Sequence, residues 1–205
     1  ILDLDKRLNN LIANLARIGS SEISGKSGTM SVLHTNSLIA SPRVVVIGLG
    51  SRAKFKLNSL RIILGKTIRL LRDADLKSIS IAVHFTLSEP DQSEAVSIVT
   101  ETAQTSMWEP DTYKLQADRK SQIETFTVAN QGNPEIGAAI ETGKIVGESM
   151  NLTRTLVNEP ANALPPAAMA ERAKLMAADV GLGCEILDED IMYRHNMGGI
   201  LSVSV

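Results

Sequence analysis

Gly48, Gly50 and Ala53, in the stretch "VIGLGSRA", match the G-x-G-x-x-G/A turn that cradles the pyrophosphate of a dinucleotide after a strand. That chemistry needs the following helix to open at the glycines, so that its first N–H groups meet the phosphates. Here helical periodicity begins near Asn58, and Phe55, Lys56 and Leu57 intervene. The acidic residue expected near Phe85, at the end of the next strand, is missing, and Ser88 and Glu89 come late. A structural strand-to-loop turn is the better reading.

The other reactive side chains are few. His34, His84 and His195 lie far apart, with none of the short His-to-His spacings of a metal site. His34 and His84 fall in strand-like segments and read as satisfied core or edge residues. Cys184 and His195 could form a nucleophilic pair, but Cys184 sits in what reads as a short strand with no activating helix N-terminus. A small buried hydrophobe is its expected role. Glu185, Asp188, Glu189 and Asp190 bunch near a helix start, where capping and dipole complementarity explain them without a metal. No G-x-S-x-G, Walker loop or basic-aromatic nucleic-acid motif is present. The residues alone present no convincing active site.

The composition sets the bounds. The 205 residues are 43% hydrophobic and carry a formal net charge of −2, so no global field favours nucleic acid or membrane. Basic residues cluster at Arg52, Lys54 and Lys56, and again at Arg61, Lys66, Arg69 and Arg72; the second set is helix-spaced and reads as a solvated face. The single cysteine permits no intrachain disulfide and fits a reducing compartment. No apolar run approaches the ~18 residues of a membrane span. The chain opens on Ile1 and stops inside the β-branched run "MGGILSVSV", which reads as a fragment ending in mid-strand.

Strand and helix patterns alternate. Residues 2–17 carry a helical repeat ended by Gly19; "GTMSVLHT" and "RVVVIGLG" read as strands flanking a turn at Ser41-Pro42. The second of these is apolar almost throughout, as a strand covered on both faces would be. A helix follows from Asn58 to about Ala74, with Leu60, Ile63, Leu64, Ile68 and Leu71 on one side. Then come a strand at 78–85, a helix from Ser88 to Met107 with Pro90 in its first turn, and a strand at 122–129. This order predicts an α/β layer fold with a largely parallel sheet. From Gly132-Asn133-Pro134 a helical pattern of about two dozen residues runs to Glu159, longer than an average helix and able to bridge two bodies. Pro160 stops it, and Pro165-Pro166 opens another helix that packs Met169, Ala173 and Met176 and ends at Gly181. "CEILDED" reads as a strand leading into a helix capped by Asp188, and Gly198-Gly199 as the approach to a last strand.

One stretch carries a resemblance. Asn158-Glu159-Pro160, then Asn162 and a proline before a helix, then Ala170, Glu171 and Ala173, "GCEILDED" and "MGGILSV" closely resemble the leucyl aminopeptidase (cytosol aminopeptidase, M17) family. "RVVVIGLG" and "WEPDTYK" (108–114) are similar to elements of that family's N-terminal domain. The resemblance implies a macro-like N-terminal α/β domain over 1–133, missing its first strand. It implies an interdomain linker helix over 134–159 and a truncated start of the catalytic peptidase domain over 160–205. The implied activity is release of N-terminal, leucine-like amino acids from peptides. Two divalent metals, zinc, manganese or magnesium, would supply a bridging hydroxide to the first peptide carbonyl and stabilise the oxyanion. The implied assembly is a homo-hexamer in the cytoplasm or a plastid, with peptides as substrates and no membrane or nucleic-acid partner. The family's metal-binding and catalytic motifs are expected beyond Val205. The resemblance therefore puts no catalytic, metal-binding or substrate-binding residue on this chain, and the 205 residues alone are expected to bind no metal and to be inactive. Where the family commonly has a Thr as N-cap before the helix-opening proline, this chain has Leu164, a difference worth ~1 kcal/mol of helix stability. Two other classes stand beside this one: a non-catalytic nucleotide- or DNA-binding or assembly module of macro-like fold, and, last, a dinucleotide-dependent oxidoreductase.

Overall fold

Strands and helices alternate in the computed structural model, which describes residues 2–17, 23–82, 89–111, 113–116, 121–129 and 136–203. The helices are α1 (Leu2–Arg7), α2 (Leu11–Arg17), α3 (Asn58–Asp73), α4 (Glu89–Met107), α5 (Ile136–Asn158), α6 (Pro166–Val180), α7 (Glu189–Arg194) and α8 (Gly198–Leu201). The strands are β1 (Met30–His34), β2 (Arg43–Ile47), β3 (Ser78–Ala82) and β4 (Thr125–Ala129). The chain divides into two units, Ile1–Arg154 and Thr155–Val205.

In the first unit the expected single N-terminal helix is two. Asn9 and Asn10 adopt left-handed φ of 56° and 57°, a conformation asparagine tolerates better than most residues. Asp5 then caps the second helix, accepting from the N–H groups of Ile12 (2.7 Å) and Ala13 (3.1 Å). Strands β1 and β2 form an antiparallel hairpin, Met30 opposite Ile47 and His34 opposite Arg43. Its connection is tied by the Thr35 hydroxyl, which donates to the Ser41 carbonyl at 2.7 Å. Val44 to Ile47 are half-buried, so β2 is not covered on both faces as its composition suggested. Strands β3 and β4 pair in parallel, Ser78 opposite Thr125 and Ala82 opposite Ala129, with α4 as the crossover. Their inward residues, Ile79, Ile81, Phe126 and Val128, pack on the core while the alternate ones face out. The described strands thus comprise one antiparallel and one parallel pair. Residues 83–85 of the expected strand lie outside the described set.

Helix α3 buries Leu60, Ile63, Leu64, Ile68 and Leu71, the face its periodicity predicts. It packs on α4, whose Ala95, Val96, Ile98, Val99, Thr100, Glu101, Thr102 and Ala103 are all buried. A helix buried all round lies between other layers, and α5 covers the side of α4 away from α3. The face of α5 turned inward is a stripe of small residues, Ala139, Gly143 and Gly147. Its large apolar residues Ile145, Val146, Met150 and Leu152 are exposed, while Ile136 and Ile140 near its start are half-buried against the core. A Cβ on Gly143 would collide with the Ser97 carbonyl and lie 2.7 Å from Thr100 Cβ, and one on Gly147 would lie 2.6 Å from Gln104 Cβ. The two helices therefore meet at a backbone separation that only glycine allows.

The second unit holds α6, α7 and α8. Pro165 occupies the N-cap of α6 with extended φ and ψ and no side-chain cap, and Gly181 closes it at a left-handed φ of 72°. Asp188 caps α7, accepting from Ile191 N–H at 2.8 Å. No strand forms here among the described residues: 182–188 is irregular, and Gly198-Gly199 opens the short helix α8. β-branched composition favours a strand only where a neighbour pairs with it. Met169 and Met176 are exposed rather than packed, and Ala177 is the fully buried apolar residue among those described.

The glycine contact yields a test. Gly143→Ala gains helix propensity of ~1 kcal/mol, yet overpacking costs about 1–3 kcal/mol, so its thermal midpoint should fall. Gly137→Ala, where an added Cβ meets nothing within 4 Å, should leave the midpoint unchanged or raise it. Thermal unfolding followed by circular dichroism measures both.

Candidate functional site

The glycine turn is built from two loops. Gly48 donates its N–H to the Thr29 carbonyl (2.9 Å), and Gly50, at φ 81°, donates to Gly25 (3.0 Å). A 3-10 turn at Arg52–Lys54 and an extended Phe55 then separate the glycines from α3. The N–H groups a pyrophosphate would need are thus committed to carbonyls, and the helix starts too late to meet it. This geometry is that of a strand-to-loop turn.

The histidines and the cysteine do not converge. His34 ends β1, exposed, beside an open groove of about 530 Å³ with Asn36, Ser37 and Pro42. His84 lies outside the described residues. His195 follows α7 at its C-cap, exposed. Cys184 is exposed in the irregular segment, which corrects its reading as a buried strand residue. No hydrogen bond joins it to His195. Among the described residues no group of three His, Cys, Asp or Glu side chains is placed to hold a metal ion.

What the structure does assemble is a polar cluster at the C-terminal end of α4. Arg72, expected on a solvated face, is only 1% exposed. Its guanidinium donates to the Ser106 carbonyl (3.2 Å) and pairs with Glu109 (2.8 Å) and Asp73 (3.2 Å). From α5, the Asn151 amide donates to the Gln104 carbonyl (3.0 Å) and Arg154 to the Thr105 carbonyl (2.8 Å). The Arg154 guanidinium also lies 5.9 Å from the centre of the Trp108 ring, within cation–π range. Lys114 closes the cluster against Asp111 at 2.8 Å. "WEPDTYK" is therefore the segment that completes this cluster. A sequence signal existed: Arg72 continues the buried stripe Leu60, Leu64, Ile68 at four-residue steps, and Asn151 continues Ala139, Gly143, Gly147.

Two smaller polar links lie elsewhere in the first unit. Arg61 grips Glu101 with both arms (2.9 and 2.8 Å), and this hydrogen bond to Glu101 raises the guanidinium pKa above its ordinary value. Ser121 takes a hydrogen bond from Lys77 (2.6 Å) and donates to Asp75. The hydroxyl first, then Lys77, hold the Asp75 carboxyl below the usual carboxylate range. These groups pair with one another, and none presents a nucleophile or a free acid–base pair to a cavity.

The fold and its polar interior define the class: an α/β N-terminal body followed, from within α5 onward, by the opening of a second unit. The family model described as "Cytosol aminopeptidase family, N-terminal domain" matches residues 2–117, and "Cytosol aminopeptidase family, catalytic domain" matches residues 151–205. The chain belongs to the cytosol aminopeptidase family. A probable cytosol aminopeptidase of Solibacter usitatus is 38% identical over 186 residues, covering 91% of this chain and 38% of that protein. One of Koribacter versatilis is 31% identical over 204 residues, covering 91% and 40%. The bottromycin maturation enzyme BotP, solved in complex with Mn, superposes with a TM-score of 0.65 at 24% identity, over 84% of this chain and 34% of that one. That likeness supports the α/β fold. The chain thus spans about 40% of the length of the curated relatives it matches.

Two measurements check the polar assignments. Arg72→Met takes the Ser106 carbonyl's side-chain donor and the ion pair to Glu109 away and should destabilise by about 3 kcal/mol in urea unfolding. Arg69→Met, on the exposed side of α3, should change it by under about 0.5 kcal/mol. Ser121→Ala should move the Asp75 titration, followed by 13C NMR, up toward the ordinary carboxylate value. Because its folded pKa is depressed, Asp75's contribution to stability is present above the unfolded value and is lost as pH falls through the folded one; the variant narrows that window.

Proposed function

We propose that this chain is the N-terminal part of a metal-dependent aminopeptidase that releases N-terminal, leucine-like residues from peptides. Residues 1–133 are its N-terminal domain, 134–159 the connecting helix and 160–205 the start of the catalytic domain. The observation that carries the reading is the catalytic-domain match from residue 151. Identity of 38% to a probable cytosol aminopeptidase across 91% of the chain supports it. The proposal extends to two divalent ions, zinc, manganese or magnesium, to a homo-hexamer, and to a cytoplasmic location with a plastid as the alternative. No helix among those described is long and apolar enough to cross a membrane.

The described residues do not fit the metal pair, because no three potential ligands converge, and no ligand is assigned to them. Their part is to hold a body that the catalytic residues join. The second unit fits that role: Leu175, Val180, Leu182, Tyr193 and Ile200 are exposed, and among the described residues Ala177 is the one buried. About fifty residues arranged in this way have no core of their own and need further apolar surface to cover them.

The test is hydrolysis of a leucine anilide with added Mn²⁺. The longer protein, with the remainder of the catalytic domain, should turn over substrate and lose activity to a chelator. The 205-residue chain should show none. Metal-dependent turnover by the 205 residues would overturn the assignment, as would inactivity of the longer protein under every divalent ion tried.

A further inference from the structure

We propose that the cleft between the Gly25–Thr29 loop, the Gly48–Ser51 turn and the 3-10 turn at Arg52–Lys54 binds a small phosphate ester of nucleoside monophosphate size. The cleft measures about 380 Å³, within the range of small-molecule sites. Its lining residues include two that carry ammonium groups, Lys26 and Lys54, and three that carry hydroxyls, Ser27, Ser51 and Ser59. No acidic residue among those described lines it. Among the described residues neither ammonium group has a carboxylate or hydrogen-bond partner, whereas Lys77, Lys114 and Lys144 all have one. Two like charges at one cleft without a counterion repel, and an anion held between them removes that cost.

The walls are set before any ligand arrives. Gly28 N–H donates to the Gly48 carbonyl (2.9 Å), Gly48 to Thr29 and Gly50 to Gly25, so the two loops are stitched together. A Cβ on Gly48 would collide with the Lys26 carbonyl, and one on Gly50 would come within 3.1 Å of Ser27 Cβ. These contacts fix the backbone that carries Lys26 and Ser27, the preorganisation that tight anion binding needs. Leu49 and Phe55 add an apolar wall, each packed on the hydrophobic core. Cationic and hydroxyl-bearing residues beside an apolar wall match a compact dianion joined to a flat, weakly polar body.

The site differs in kind from a dinucleotide turn. The glycine N–H groups are occupied by carbonyls, so the phosphate is held by lysine charges and serine hydroxyls. The inference stands apart from the peptidase reading, since every residue it uses lies in the first unit.

Isothermal titration of the 205-residue chain at low salt with AMP, inorganic phosphate and adenosine tests it. AMP should bind, adenosine at least tenfold more weakly. The exposed pair Lys26→Gln/Lys54→Gln, with an unchanged circular dichroism spectrum, should weaken AMP at least tenfold. Inorganic phosphate binding as tightly as AMP would keep the site and make free phosphate its ligand. In the unaltered chain, AMP should shift the backbone amide resonances of Ser27 and Ser51. No binding of AMP or phosphate at millimolar concentration, equal binding by the double variant, or shifts confined to other residues would overturn the proposal.

Discussion

The first unit depends on how the C-terminal end of α4 is satisfied. A helix ends with carbonyls that no later turn can reach, and it concentrates partial negative charge there. In α4 that end lies against α3 and α5, with Ser106 buried and Gln104 and Thr105 half-buried. Three consecutive carbonyls, of Gln104, Thr105 and Ser106, each receive a side-chain donor from a neighbouring helix: Asn151, Arg154 and Arg72. Two of the three donors are cationic, which also complements the dipole. Leaving one such buried group unpaired costs about 1–3 kcal/mol, a large fraction of a domain's net stability. Arg72 needs its own countercharge, and Glu109, from the segment just past the helix, supplies it.

The same requirement orders the packing on either side. The donors from α5 can reach only if α5 lies close to α4, and Gly143 and Gly147 permit that approach. Around these glycines small residues face inward and Ile145, Val146, Met150 and Leu152 outward, while Ile136 and Ile140 pack on the core. Beyond Arg154 the chain enters the second unit, where apolar side chains stand exposed around Ala177. The polar groups at the end of α4 are committed to holding helices together.

Much of the fold was legible in the residues. The buried face of α3 followed from its periodicity, and Pro166, Gly181 and Asp188 marked helix ends because their backbone preferences are local. Failures came where a distant partner decided. Asn9-Asn10 breaks a helix that periodicity alone would continue, because Asp5 rewards the break with a cap. The segment at 182–188 has strand composition but no described strand beside it, so it stays irregular. Arg72 was misread because its charge suggested exposure. The four-residue stripes that place Arg72 and Asn151 were present in the sequence, but only the position of α4 shows what they serve. The turn at Gly48 and Gly50 was read correctly as structural, yet the cleft beside it depends on Lys26 and Ser27, about twenty residues earlier, and no local motif joins them.

The central claim is that Arg72 and Glu109 act together to close the end of α4. A double-mutant cycle with Arg72→Met and Glu109→Gln, measured by equilibrium urea unfolding, tests it most directly. The account predicts a coupling of about 1.5–3 kcal/mol, with the double variant losing clearly less stability than the two single losses combined. Additive losses, within about 0.5 kcal/mol, would contradict it and show that the buried guanidinium is held by the Ser106 carbonyl, Asp73 and packing without Glu109.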